Sequence, residues 1–200
     1  MWCAALCMGM LLMYAAPAWA AAPTTLDDLQ AAYNGESNAS AKYKTYAKKA
    51  DEEGYLKVAA LFRAAAKSEE IHAKNHAQVI RKMGALPQKN IVPPYLGTTA
   101  QNLANAIAGE TQETNVMYPE FIARAEKEKN KAAVRTFTFA KEAEANHAKL
   151  YTQAKDNLAA WKVGGVVFYD CGECGNTVEK VDFTKCPVCG EPKSRYSKVE

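Results

Sequence analysis

The chain has little net charge and few residues of the types that usually hold metals. Its 200 residues carry a formal net charge of +3, so it lacks the basic surface that nucleic acid or an anionic membrane attracts. We therefore expect no nucleic-acid partner. Histidine occurs three times and cysteine six times, few enough to account for each residue individually. With 48% apolar and 24% charged residues, the composition is that of a globular protein with ample core-forming material.

The N-terminal segment lacks charged side chains altogether, since the first one is Asp27. The apolar run Trp2–Ala16 is followed by small residues at Ala18 and Ala20, which is typical of a signal-peptidase site. A basic region before the run is missing. The sequence predicts a cleaved signal peptide over residues 1–22 and a periplasmic or secreted mature protein, with an uncleaved membrane anchor as the alternative.

Four stretches repeat apolar residues at alternating three- and four-residue steps, which is typical of helices in a bundle. The predicted helices run from Leu26 to Glu53, from about Val58 to Met83, from about Thr99 onward, and from about Asn130 to Leu158. The segment 84–95 contains three prolines and cannot be helical throughout, so we expect a long crossover between two helix hairpins. Pro119 predicts a kink or bulge in the third helix.

Each apolar stripe also carries a carboxylate at mid-height: Glu36, Glu69, Glu110 and Glu144. His72 and His147 lie three residues after the second and fourth of these, and residues three apart in a helix lie on the same side. Burying ionised carboxylates in a helical core costs several kcal/mol unless a compensating charge is present. The pattern therefore predicts bound cations. The alternative is a set of surface glutamates, which does not explain why the neighbouring lysines fall off the stripes.

The two helix hairpins are copies of one unit. They superimpose with an offset of 74 positions at Glu36 and Glu110 and of 75 at His72 and His147. Each copy supplies one Glu and one Glu-x-x-His, which together are the ligand set of ferritin-like dinuclear sites. Hard oxygen ligands with two imidazoles suit iron or manganese. We therefore predict a pseudo-symmetric pair of metal ions.

One carboxylate breaks this symmetry. Glu113 lies three residues after Glu110 on the same face, where the first hairpin has an alanine, and is a seventh potential ligand. Tyr43 and Tyr118 are equivalent under the repeat, and we interpret them as hydrogen-bond donors to the carboxylates, with a plain aromatic core as the alternative. His76, one turn beyond the first histidine ligand, is expected to cap the core or to face solvent.

The composition changes after Trp161. Residues 162–165 end in two glycines and predict a flexible joint, and residues 166–200 contain two Cys-x-x-Cys motifs separated by 11 residues. Their cysteines are Cys171, Cys174, Cys186 and Cys189. This spacing predicts a tetrahedral four-sulfur site, and about 35 residues need such a metal to fold. From spacing alone zinc is the expected metal, with two disulfides as an alternative.

Taken together, these motifs resemble the rubrerythrin family over nearly all of residues 24–200. The resemblance implies an all-α, ferritin-like four-helix bundle over residues 24–160 and a small rubredoxin-like domain over residues 166–200. It also implies a non-haem di-iron centre and a rubredoxin-type iron held by the four cysteines. The implied ligands of the di-iron centre are Glu36, Glu69, Glu110, Glu113, Glu144 and His147, with His72 and Glu113 exchanging on one iron.

The resemblance further implies a peroxidase that reduces hydrogen peroxide to water in oxidative stress defence. Electrons would pass through the rubredoxin-type iron from an unidentified donor protein, either NAD(P)H-linked or of another kind. The reactive set would be Glu113 and His72, with Tyr43 and Tyr118 beside them, in a homodimer or higher homo-oligomer that pairs domains across subunits. Two alternatives are a ferroxidase or iron-handling protein without peroxidase turnover, and a non-catalytic zinc-binding or electron-transfer module. The export signal is a departure from a typically cytoplasmic family.

Overall fold

The computed structural model describes residues 22–199, so residues 1–21, which hold nearly all of the predicted signal peptide, lie outside the described part of the chain. The α-helices, in chain order, are α1 Thr25–Glu52, α2 Leu56–Lys82, α3 Thr99–Gln112, α4 Tyr118–Lys127 and α5 Lys131–Asp156. The π-helix Glu113–Met117 joins α3 to α4, and the two form the third long helix of a four-helix bundle. The predicted all-α bundle is confirmed. Within this part of the chain, each helix is too short or too polar to cross a bilayer.

Side-chain caps fix where the helices begin. Thr24 and Asp27 form a reciprocal capping box at the start of α1, and Thr98 and Gln101 form another at the start of α3. The Asn130 side chain accepts a hydrogen bond from a backbone N–H in the first turn of α5. Such caps satisfy backbone N–H groups that have no partner inside the helix. The observed boundaries therefore fall close to those expected from the apolar stripes.

The π-helix holds the one extra residue of the second hairpin. Glu36 and Glu110 are 74 positions apart, whereas the tyrosines that follow them, Tyr43 and Tyr118, are 75 apart. A π-turn spans one residue more than an α-turn, and the N–H of Tyr118 bonds to the carbonyl five residues before it. Pro119 has no N–H to continue the regular α-pattern across this point. The bulge predicted beside this proline is confirmed.

Residues 83–98 form the crossover, which runs without helix along the outside of α1. Three amide side chains one helical turn apart bind its backbone: Gln30 bonds to the main chain at Leu86 and Gln88, and Asn34 and Asn38 do so further along. The predicted crossover is thus present, and hydrogen bonds from α1 hold it in place.

The bundle interior consists of two apolar layers with polar side chains between them. One layer contains the packed rings of Tyr43, Phe62 and Tyr151, whose centroids lie 5.1–5.8 Å apart. The other contains Tyr118 and Phe137, with ring centroids 6.0 Å apart. Along every helix, the predicted carboxylates fall between these layers.

The C-terminal domain is a small antiparallel sheet with strand order β2-β1-β3, where β1 is Phe168–Cys171, β2 is Thr177–Val178 and β3 is Tyr196–Val199. It packs on α2 and α5 of its own bundle. Phe168 is fully buried in the first apolar layer, and Trp161 stacks on it with a centroid distance of 6.5 Å. Residues 162–165, the predicted joint, therefore connect the bundle to a C-terminal domain that packs against it.

Candidate metal centre

Six of the predicted ligands meet at the centre of the bundle in two groups of four. One group consists of Glu36, Glu69, His72 and Glu144, and the other of Glu69, Glu110, Glu144 and His147. Within each group, the donor atoms all lie within 4.8 Å of one another. All six side chains are at most 1% exposed. The groups share two carboxylates, so the arrangement provides two adjacent cation positions with carboxylates that can bridge them.

Glu144 shows the bridging geometry most clearly. One of its oxygens lies 2.8 Å from Nδ1 of His72, and the other lies 2.7 Å from Nδ1 of His147. Glu69 is arranged in the same way, at 2.9 Å and 3.5 Å from the same two nitrogens. Each imidazole therefore presents Nδ1 to the centre of the site.

The protein alone leaves these donors unsatisfied. Among the described residues, one carboxylate oxygen on each of Glu36, Glu69 and Glu110 is buried without a hydrogen-bond partner. A buried carboxylate oxygen without a partner carries an unfavourable desolvation energy, which coordination to a cation removes. Four carboxylates and two imidazoles suit a pair of iron ions in a helix bundle. The residues present therefore fit the implied di-iron group.

The pKa values of the cluster also indicate that it binds cations. Burial, followed by the charges of Glu144 and Glu69, raises the pKa of Glu36 and of Glu110 well above the usual range. Burial opposes charge on His147, but the neighbouring Glu144 outweighs it and raises the pKa of this imidazole to about 10. The site thus holds protons where cations can bind, and metal uptake must release them.

Each hairpin supplies a tyrosine to the opposite hairpin. Tyr43 donates a hydrogen bond to Glu110, and Tyr118 donates one to Glu36. All four side chains are buried. These contacts are the donation to carboxylates that the sequence interpretation expected, and they orient the two carboxylates that belong to only one group each.

The C-terminal domain bonds to the outer nitrogen of both histidines. Nε2 of His72 lies 3.0 Å from the carbonyl oxygen of Cys174, and Nε2 of His147 lies 3.0 Å from Oγ1 of Thr177. Thr177 in turn donates to Asp170 at 2.8 Å. Donation from Nε2–H leaves Nδ1 free to bind metal. Sequence reasoning missed Thr177 and Asp170, because only the docking of the two domains brings them to the site.

Gly175 makes this close approach possible. Its φ is +78°, and a Cβ at this position would lie 2.3 Å from Nε2 of His72 and 2.6 Å from Oγ of Ser68. Ser68 also donates to the carbonyl of Gly175 at 2.6 Å. A residue with a side chain would therefore push the domain away from the metal centre.

Glu113, the predicted seventh ligand, lies close enough to the donor groups that its charge helps to raise the pKa of Glu36 and of Glu110. It lies at the start of the π-helix, is partly exposed, and belongs to neither donor group of the described residues. Burial of its carboxyl, followed by the charges of Glu144 and Glu69, still raises its pKa to about 8. Its carboxyl is therefore close enough to Glu144 and Glu69 for their charges to change its pKa. Its exchange with His72 stays a prediction.

His76 is fully buried, so the expectation that it could face solvent is wrong. Its Nε2 lies 3.3 Å from the hydroxyl of Tyr118, and its Nδ1 lies 3.1 Å from Oγ1 of Thr136. Burial, followed by the charge of His72, lowers the pKa of His76 to about 3. This imidazole is therefore neutral. No sequence signal linked it to Thr136, which is 60 positions away.

The four cysteines form a second site in the C-terminal domain. Sγ of Cys171 lies 3.7 Å from that of Cys189, and Sγ of Cys174 lies 3.6 Å from that of Cys186. These separations suit a metal ion with bonds of about 2.3 Å to four sulfurs in a tetrahedron, and all four cysteines are free. The alternative of two disulfides is wrong. A hydrogen bond from Cys174 lowers the pKa of Cys171 to about 5, which favours the thiolate that a metal requires.

Comparison with known proteins places these features in a family. The rubrerythrin family model matches residues 27–155. Nigerythrin from Nitratidesulfovibrio vulgaris is 38% identical over 175 residues, which cover 87% of this chain and 86% of that protein. Rubrerythrin-2 from Clostridium acetobutylicum is 37% identical over 177 residues, covering 86% of this chain and 95% of that protein.

Solved structures agree with this placement. A fully reduced, all-ferrous structure of nigerythrin superimposes with a TM-score of 0.82 at 37% identity, over 92% of this chain and 90% of that one. A bacterioferritin from Desulfovibrio desulfuricans has a TM-score of 0.63 at 20% identity, which shows a common bundle fold. The protein is a ferritin-like bundle with a di-iron carboxylate site and a rubredoxin-type iron site. The chain belongs to the rubrerythrin family.

Proposed function

We propose that this protein is a peroxidase that reduces hydrogen peroxide to water in defence against oxidative stress. The observation that carries the proposal is the pair of buried four-donor groups that share Glu69 and Glu144. When bound there, a pair of ferrous ions supplies together the two electrons that the reaction consumes. The all-ferrous state reported for nigerythrin supports this assignment by family likeness.

The residues of the chain hold the metals and control the surroundings of the substrate. Glu36, Glu69, Glu110, Glu144, His72 and His147 are the proposed ligands, with Glu113 as an exchanging ligand. Tyr43 and Tyr118 each hold a proton on a hydroxyl next to a ligand carboxylate, where peroxide oxygens need protons as they become water. The apolar layers on both sides keep bulk water away from the centre.

Electrons reach this centre from the four-cysteine site. The carbonyl of Cys174, a proposed ligand, lies 3.0 Å from Nε2 of His72, whose other nitrogen faces the di-iron site. The contact lies within one chain, and in a homo-oligomer the same surfaces could pair between subunits. The external donor, whether NAD(P)H-linked or of another kind, would reduce the cysteine-bound iron one electron at a time. We further propose export of the mature protein, on the basis of its uncharged N-terminal segment.

The experiment that tests the function is a visible spectrum of the purified protein during turnover. A red ferric tetrathiolate chromophore should bleach with dithionite and return on addition of hydrogen peroxide, with two electrons consumed per peroxide. A colourless protein that contains zinc would contradict the proposal. Oxidation of added Fe(II) without repeated peroxide turnover would instead favour the ferroxidase alternative.

A further inference from the structure

A chain of hydrogen bonds leads from the metal centre toward the surface of the bundle. Tyr118 donates to Glu36, Nε2 of His76 lies 3.3 Å from the Tyr118 hydroxyl, and Oγ1 of Thr136 lies 3.1 Å from Nδ1 of His76. The four residues are at most 6% exposed. These contacts link α1, α2, α4 and α5 through side chains alone.

The direction of donation in this series of hydrogen bonds follows from the bond between Tyr118 and Glu36. The hydroxyl proton of Tyr118 is used by Glu36, so the Tyr118 oxygen accepts from Nε2–H of His76. A neutral imidazole carries one proton, so Nδ1 accepts from the hydroxyl of Thr136. In each of these three hydrogen bonds, the donor therefore points toward the metal centre.

The outer end opens to solvent. Thr136 lines a surface cavity of about 150 Å³ between α2 and α5, together with polar side chains that include Asn75, Arg135 and Glu173. A cavity of this size and polarity can hold several water molecules, since each occupies about 30 Å³ in the liquid. Water in this cavity would lie next to Thr136, which is 6% exposed.

Within residues 22–199, the other half of the repeat has no such route. With the offset of 75 positions, Tyr151 occupies the place of His76, and Leu61 occupies the place of Thr136. Among the described residues, the Tyr151 hydroxyl has no hydrogen-bond partner other than the neighbouring Tyr43, and Leu61 is fully buried. The two halves share the tyrosine next to a ligand carboxylate, but only one half connects it to the surface.

We propose that Thr136, His76 and Tyr118 form a proton-delivery route from the surface cavity to Glu36 at the di-iron centre. The inference rests on the proposed function, because reduction of one hydrogen peroxide to two waters consumes two electrons and two protons. For each proton, Thr136 takes one from cavity water and passes its own to Nδ1 of His76. His76 releases its Nε2 proton to Tyr118, which releases its hydroxyl proton into the site. Each transfer leaves His76 with its ring proton on Nδ1, and the route is reset when the imidazole returns to the Nε2–H tautomer.

The test compares two near-isosteric variants of the full-length, iron-loaded protein. Thr136→Val removes the outer hydroxyl, and Tyr151→Phe removes a hydroxyl of the other half as a matched control. In stopped-flow oxidation of the reduced protein by peroxide, Thr136→Val should be slower by roughly 10- to 100-fold and show a larger solvent deuterium isotope effect. Tyr151→Phe should match the wild type, and Thr136→Ser should restore the rate.

A second measurement does not depend on turnover. In protein labelled with ¹⁵N-histidine and loaded with zinc, exchange of the His76 ring proton with deuterated solvent should be slower in Thr136→Val than in Tyr151→Phe. Equal exchange and equal peroxide kinetics in the two variants, at equal iron content, would overturn the route. A wild-type protein that does not turn over peroxide would overturn the proposed function instead, and proton exchange would still test the route.

Discussion

The residues at the centre of the bundle are unfavourable for the protein without its metals. Four buried carboxylates face each other at the same level, and two imidazoles offset only part of their charge. A cluster of this kind is retained because bound cations stabilise it. Stability measured with and without metal should therefore differ in its dependence on pH.

Removing the metals should make the protein less stable as the pH rises. The pKa values of Glu36 and Glu110 lie above their usual range, and those of Glu113 and His147 are about 8 and about 10. These four groups bind more protons in the folded state than in the unfolded state, against one fewer at His76 below about pH 6.5. Their contribution to stability is therefore present at low pH and is lost as the pH rises through the folded-state values. Between about pH 5 and pH 8, the free energy of unfolding should fall by about 1.4 kcal/mol per pH unit for each extra proton held.

Urea denaturation of chelator-treated protein across this pH range provides the measurement, with metal-loaded protein as the control. The loaded protein should show a flatter profile, because the cations replace the protons. A metal-free protein that is equally stable at pH 5 and pH 8 would contradict the protonation state described for the cluster.

Substitution of Glu113 tests whether a carboxylate outside the two donor groups takes part in the reaction. If it exchanges with His72 on one metal, Glu113→Ala should slow peroxide turnover by about tenfold or more while the red chromophore is unchanged. Glu120→Ala, which removes an exposed carboxylate from α4, is the control. Unchanged turnover in Glu113→Ala would remove the ligand exchange from the mechanism.

At the scale of helices and strands, the repeated hairpin explains both the symmetry and the asymmetry of the site. The stripes of apolar residues were enough to predict the helices and the level of the carboxylates, since both follow from helical periodicity. Pro119 was enough to predict a bulge. The contacts of His76 with Thr136 and of His147 with Thr177 could not be predicted, because they join side chains 60 and 30 positions apart across packed elements.

The turns that hold the cysteines provide a matched pair of glycines. Gly175 and Gly190 follow the second cysteine of each motif and have φ of +78° and +76°. An added Cβ would collide with His72 at Gly175 but would meet nothing within 4 Å at Gly190. Alanine at either position carries a similar backbone cost of about 1 kcal/mol. Only Gly175→Ala should move the domain away from the histidine.

We therefore expect Gly175→Ala to slow electron transfer between the two metal sites by roughly 10- to 100-fold, because His72 loses its outer partner. The measurement is the rate at which peroxide restores the red colour of the fully reduced protein. Gly190→Ala carries a similar backbone cost and should be close to the wild type in this rate. Equal rates in both variants would show that the contact with His72 is not part of the electron route.

At the scale of the whole molecule, two metal sites are joined by one docked surface. The loop from Cys174 to Thr177 ends the first cysteine motif and supplies the outer partners of both histidines. Sequence motifs identified each site separately, whereas their contact depends on how the small domain packs on α2 and α5. The central claim is that the buried carboxylates exist to hold a pair of metal ions.

The most direct test of this claim is a metal analysis of the purified protein by mass spectrometry under native conditions. We predict three iron ions per chain, two in the bundle and one at the cysteines, and the loss of bundle iron in Glu144→Ala with the cysteine-bound iron retained. A wild-type protein that binds a metal ion at the four cysteines and none in the bundle would contradict it.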